Sequence, residues 1–157
     1  MKKSDRIHQF VASLGSDPRL ALHPCYQGYF TCFNAQQYYE AHDVLEHLWL
    51  QTSGPDHAFF KGLIQFAGAF VHLQKQRAHP THAKHGRRLR PAVRLFRLAA
   101  ANLAPYLPRH LQLDVAAICA LGRQHADAIV HSDFALNPWQ PATAPQLHLT
   151  PEVDDHV

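Results

Sequence analysis

The chain has 157 residues and a mass of 17.8 kDa, the size of one ordinary domain. Hydrophobic residues make up 46%, enough to supply a core and to exclude wholesale disorder, and no apolar run approaches the roughly 20 residues that span a bilayer. The net charge of +3 hides an asymmetry: no acidic residue lies between Asp56 and Asp114, an interval with ten Lys and Arg, so that segment must find its anions elsewhere.

The N-terminal residues Met1 to Gln9 are polar and charged, with no apolar stretch behind Lys2 and Lys3, so no secretory signal is predicted. Asp5 to Ser13 and Cys25 to Phe33 read as short helices separated by Gly15, Pro18 and Pro24. Between Ala35 and Gln51 the apolar residues Tyr38, Ala41, Val44, Leu45, Leu48 and Trp49 recur at helical spacing. Asn34 is the expected N-cap of that helix, and Thr52-Ser53-Gly54-Pro55 ends it. Asp56 is the expected cap of the next helix, which runs to about Arg77 with Phe59, Leu63, Phe66, Phe70 and Leu73 as its stripe. Gly62, Gly68 and Ala69 on it let a neighbouring helix approach closely.

A third long segment, about Thr81 to Leu103, sets Leu89, Val93, Phe96, Ala100 and Leu103 against a flank of Arg90, Arg94 and Arg97. Pro91 must start or kink this helix, and Pro105 and Pro108 end it. Asp114 caps a last helix through about Val130, and no segment alternates long enough to predict a strand. From Asn137 four prolines (Pro138, Pro141, Pro145 and Pro151) predict an extended or disordered tail, with Trp139 and Leu147 available to dock it. The expected fold is all-α: a compact bundle of four to six helices over residues 1–136, then a Pro-rich tail over 137–157. Cys25, Cys32 and Cys119 are odd in number and lack CxxC spacing, which fits free thiols in a reducing cytoplasm.

The chemistry-bearing stretch is Tyr38 to Trp49. His42 and Glu46 stand at i and i+4 on one helix face, whereas Glu40, Asp43 and His47 fall on a wetter side. On the next helix Gln65 and His72 are two turns apart on one strip. Antiparallel packing would let His42, Glu46, Gln65 and His72 converge in one polar pocket. His42, Glu46 and His72 are then candidate ligands for a divalent metal (Zn²⁺, Mn²⁺ or Fe²⁺), with positions left open for water. Without a metal, Glu46 and His42 are the candidate catalytic pair, Glu46 as a general base oriented by His42. Gln65, Trp49, Arg87 and Arg88 complete the candidate ligand pocket, the two arginines attracting a small polar or anionic ligand. The bland alternative is a buried Glu–Arg–His network that only locks helix register, and it weighs more than the metal.

These residues resemble a known family. Phe33-Asn34, then Tyr39-Glu40-Ala41-His42-Asp43-Val44-Leu45-Glu46 and Trp49, then Gly62-Leu63-Ile64-Gln65 and His72, are similar to the bacterial and archaeal domain of unknown function 309 family. The similarity spans about Tyr29 to Ile118 and extends to Leu103-Ala104-Pro105-Tyr106 and Leu113-Asp114-Val115. It implies a compact all-α bundle without an established activity, whose recurrent positions fall on His42, Glu46, Trp49, Gly62, Gln65 and His72. The residue after His42 is often Glu in that family and is Asp43 here, so Asp43 is given no ligand role.

Three rival motifs carry less. The His42-Asp43 doublet resembles that of HD phosphohydrolases but lacks their further ligands in order. The His79, His82 and His85 run can bind Ni²⁺, Cu²⁺ or Zn²⁺, yet reads first as a solvated turn. Arg87, Arg90, Arg94 and Arg97 form a basic face for an acidic protein or nucleic-acid partner, but without interleaved aromatics nucleic acid is disfavoured. No membrane partner is predicted, and a homo-oligomer stays open.

Overall fold

The computed structural model describes residues 1–151; residues 152–157, which hold the acidic Glu152, Asp154 and Asp155, and the side chain of His85 lie outside the described residues. The chain forms an all-α bundle of α1 (Lys3–Leu14), α2 (Pro24–Asn34), α3 (Tyr38–Leu50), α4 (His57–Ala78), α5 (Leu89–Leu103) and α6 (Val115–His131). A two-residue antiparallel pair, β1 (Arg109–His110) and β2 (Leu113–Asp114), bridges α5 to α6 and is the only departure from an all-helical reading among the described residues. No helix there is long and apolar enough to cross a membrane.

The apolar stripe of α4 makes the centre. Phe59, Phe66 and Phe70 are fully or almost fully buried, and Phe66 and Phe70 stack or abut Phe33 of α2, Tyr38 of α3 and Phe96 of α5. Edge-to-face and offset ring pairs of this kind add to the area they bury. Tyr38 meets Phe70 near one end of α4 and Trp49 meets His57 at the other, so α3 and α4 run antiparallel. Gln65 with Asn102, and His72 with Arg88, show the same for α4 and α5. Gly62 sets that second spacing, because a Cβ there would lie 2.8 Å from Leu103 Cγ and 3.3 Å from the Ala99 carbonyl oxygen. The buried phenol of Tyr29 donates to Leu63 O at 2.6 Å, which satisfies its hydroxyl inside the core.

Three capping expectations meet different outcomes. Asp114 does cap α6, accepting from Ala117 N at 3.0 Å. Asn34 does not cap α3: it is the last residue of α2, and its amide pairs with the backbone of Leu147, donating to O at 2.8 Å and accepting from N at 2.7 Å. Asp56 precedes α4 without a side-chain cap, because its carboxylate accepts from His110 Nε2 at 2.7 Å. In both cases a long-range partner outcompetes the local N–H. The third long segment is shorter than expected, since 81–88 is turn and 3₁₀ helix and α5 begins at Leu89, with Pro91 in its first turn.

The tail from Asn137 to Pro151 is extended and docked rather than loose. Trp139 is 3% exposed, belongs to the main core, and donates from Nε1 to Tyr38 Oη at 3.0 Å. Asn137 Nδ2 donates to Leu73 O at 2.7 Å, and Thr150 N donates to Gln112 O at 2.8 Å. The prolines limit helix here to one 3₁₀ turn, Pro141–Thr143, but do not prevent packing, and Trp139 and Leu147 join the core beyond residue 136. Trp139→Ala therefore loses about 3–5 kcal/mol of stability in chemical denaturation, the cost of emptying a buried aromatic site; a loss under about 1 kcal/mol would mean that the tail contributes nothing to the core.

Candidate functional site

α3 supplies one half of the site. Burial of Tyr38, Ala41 and Leu45 fixes the rotation of the helix and leaves His42 and Glu46 at the rim of the core, with side chains 31% and 33% exposed. His42 Nε2 lies 3.7 Å from Glu46 Oε2, and its Nδ1 lies 3.2 Å from Asp43 Oδ1. The imidazole is bracketed by two carboxylates of its own helix. Asp43, placed by helical phase on another side, thus joins the cluster: neighbouring Cα–Cβ vectors diverge by about 100°, but rotation about χ1 and χ2 closes the gap. Tyr39 lies beside His42, with near-parallel rings 6.3 Å apart, and Lys75 of α4 sits 5.9 Å from the Tyr39 ring centroid. Trp49 stacks on His57 at 5.0 Å, and its buried Nε1 has no partner.

The α4–α5 seam supplies the other half. Gln65, Gly68, His72 and Lys75 follow one strip of α4, and the first three meet α5 or its N-terminal end turn by turn. Asn102 Nδ2 donates to Gln65 Oε1 at 2.7 Å, a Cβ at Gly68 would lie 3.2 Å from Leu95 Cδ1, and Arg88 Nη1 donates to His72 Nδ1 at 3.0 Å. That bond fixes the His72 proton on Nε2. Burial first, and then the charges of Arg88, Lys75 and Arg94, hold the His72 imidazole down at about 4, so it is neutral at physiological pH.

Gln65 is thus engaged by Asn102 and His72 by Arg88. Among the described residues no group of three or more His, Cys, Asp or Glu is arranged to hold an ion, so nothing beyond helical spacing speaks for the metal set His42, Glu46 and His72. One His72 nitrogen is occupied and its surroundings are cationic, which opposes a second cation. Arg87 lies apart in the 3₁₀ turn before α5, lining a cavity with Arg90, Asp133 and Phe134. His79 and His82 are exposed in the turn after α4, where His82 Nδ1 accepts from Lys84 N at 3.0 Å.

The basic flank of α5 is real. Arg90, Arg94 and Arg97 line a cavity of about 380 Å³ with Leu98 and Phe134, and Arg90 lies 4.0 Å over the Phe134 ring. The ion pairs among the described residues are Asp17–Arg19, His42–Asp43, His42–Glu46 and Asp56–His110, so none neutralises Lys75, Arg90, Arg94 or Arg97. Sequence reasoning missed Asn102, Lys75 and Tyr39 as parts of the seam, and Phe134 as the aromatic of the basic flank. Asn102, a lone amide in an Ala/Leu-rich stretch, was the one signal available.

Fold and site together define an all-α bundle with a polar seam, acidic along α3 and basic along α4–α5. Residues 26–83, from α2 to the turn after α4, match the family described as Domain of unknown function (DUF309). The match is narrower than the resemblance, leaving out α5 and α6. Comparisons with curated proteins and with solved structures give no match.

The depressed His72 pKa has a defined pH consequence. The unfolded imidazole takes up its proton near 6.5 and the folded one near 4, so the unfolded state binds more protons in between. Stability contributed by neutral His72 is complete above about pH 6.5 and is lost as the pH falls toward 4. His72→Gln therefore shows a shallower fall in denaturation midpoint over that window than the wild type; equal slopes would show that Arg88 does not face an uncharged ring.

Proposed function

We propose that the polar seam binds a small anionic ligand, a phosphate- or carboxylate-bearing metabolite of the reducing cytoplasm. The carrying observation is the Arg88–His72 pair at 3.0 Å with Lys75 and Arg94 beside it, on a segment whose nearest carboxylates in sequence are Asp56 and Asp114. A half-buried cluster of one sign, without acidic partners for Lys75 and Arg94 among the described residues, supports an anion as its complement. His42 between Asp43 and Glu46 is the proton-accepting group of the same seam, and general-base hydrolysis is the enzymatic extension of this reading. A divalent ion on His42, Glu46 and His72 has weaker support, for the reasons of charge and geometry above.

Thermal denaturation with inorganic phosphate, pyrophosphate or citrate tests the proposal. At least one of these raises the wild-type midpoint in a saturable way, and Arg88→Ala weakens that binding at least tenfold while His42→Gln does not. No saturable shift with any of the three, or an unchanged affinity in Arg88→Ala, refutes it.

A second reading rests on the Arg90–Arg94–Arg97 cavity with Phe134 and the exposed Leu98, which suits an acidic protein partner. Under it, Arg94→Ala with Arg97→Ala weakens capture of an acidic peptide in a salt-sensitive manner and leaves phosphate binding at Arg88 intact. Salt-insensitive peptide binding would count against it.

A further inference from the structure

α1 is the least committed helix, with only Val11 buried, packed with Cys25 and Val44. At its solvent edge His8 faces His47 of α3, Nε2 to Nε2, at 3.2 Å. The rings are nearly perpendicular, at 87°, with centroids 4.8 Å apart. Two imidazole nitrogens this close must share either a proton or a metal ion between their lone pairs. The ring positions separate the two cases. A linear N–H···N bond of this length would hold the centroids about 5.5 Å apart. An ion about 2.0–2.1 Å from each nitrogen subtends roughly 100°, close to tetrahedral, and brings the centroids to about 5 Å. The 4.8 Å separation matches the second geometry.

The surroundings agree. Gln51 Nε2 lies 3.5 Å from His47 Nε2, and a half-turn of the amide presents Oε1 there as an oxygen ligand. His23 is nearby but outside the ligand set, because its Nδ1 accepts from Cys25 N at 3.0 Å and its proton therefore sits on Nε2.

We propose that His8 and His47 form a bis-imidazole site for a borderline transition-metal ion of the Zn²⁺, Ni²⁺ or Cu²⁺ class, clipping α1 to α3 with water completing the coordination. The clip also fixes one wall of a cavity of about 380 Å³ that α1 forms against α3, lined by Arg6, Phe10, Tyr39, Glu40, Asp43 and Val44. It is independent of the seam and of the His79–His82 turn.

The test is calorimetric titration of the untagged full chain with ZnCl₂ and NiCl₂, alongside hydrogen exchange of α1. The wild type binds one equivalent that weakens at least tenfold in His8→Ala and in His47→Ala but persists in the triple His79/His82/His85→Ala variant. Metal slows α1 exchange in the wild type and in neither single variant. His8 is exposed, so its replacement leaves the bundle folded, and an unchanged denaturation midpoint verifies this. No such equivalent in the wild type, equal affinity in either single variant, or loss confined to the triple variant would overturn the site.

Discussion

The close approach of α4 and α5 at Gly62 governs the site. With no Cβ between them, Leu103 and the Ala99 carbonyl close onto the α4 backbone, and the two antiparallel helices stay near each other for three further turns. That spacing brings Asn102 to Gln65, Leu95 to Gly68 and Arg88 to His72 in sequence. Side chains as short as these amides reach one another only across helices packed this tightly. The polar seam is therefore a consequence of backbone spacing, and the aromatic core beneath it, centred on Phe66 and Phe70, holds the spacing fixed.

Electrostatics then divide the seam. α3 carries Glu40, Asp43 and Glu46, whereas α4 and α5 carry cations alone. A protein that only needed to lock helix register would be better served by pairing those charges across the α3–α4 boundary. Instead Asp43 and Glu46 are spent on His42 of their own helix, and Lys75 lies against the Tyr39 ring. Positive charge without an ion-pair partner among the described residues costs stability through self-repulsion, and an anion would relieve that cost.

The fold was legible because helical periodicity and Pro/Gly punctuation act locally. The six helices follow from the spacing of residues such as Phe59, Leu63, Phe66 and Phe70, and from the stop at Gly54-Pro55. What could not be read was set by partners distant in sequence. Asn34 has the chemistry of an N-cap, yet Leu147, 113 residues on, takes both ends of its amide. Asp56 likewise spends its carboxylate on His110. For the tail, composition offered Trp139 and Leu147 as docking residues, but four prolines left extended and disordered states open, and the pocket beside Tyr38 that Trp139 fills is set by distant residues. For the site, phase placed His42 with Glu46 correctly, but it put Asp43 on the wrong side, since Cβ direction ignores side-chain length.

Histidine makes the same point within one residue type. His42, His47 and His72 all sit on helices beside polar neighbours, and spacing alone offers each as a ligand. Their chemistry diverges through what the other elements bring. His72 receives a guanidinium from Arg88, which occupies one nitrogen and holds the ring neutral. His42 meets two carboxylates of its own helix, Asp43 at 3.2 Å and Glu46 at 3.7 Å. His47 meets a second imidazole from α1, His8, nitrogen to nitrogen at 3.2 Å. A cation neighbour makes an acceptor, an anion neighbour makes a base, and a neutral donor atom makes a chelate. The single pocket that histidine spacing suggested therefore divides into three histidine environments, each set by a different neighbour: a guanidinium, a pair of carboxylates or a second imidazole.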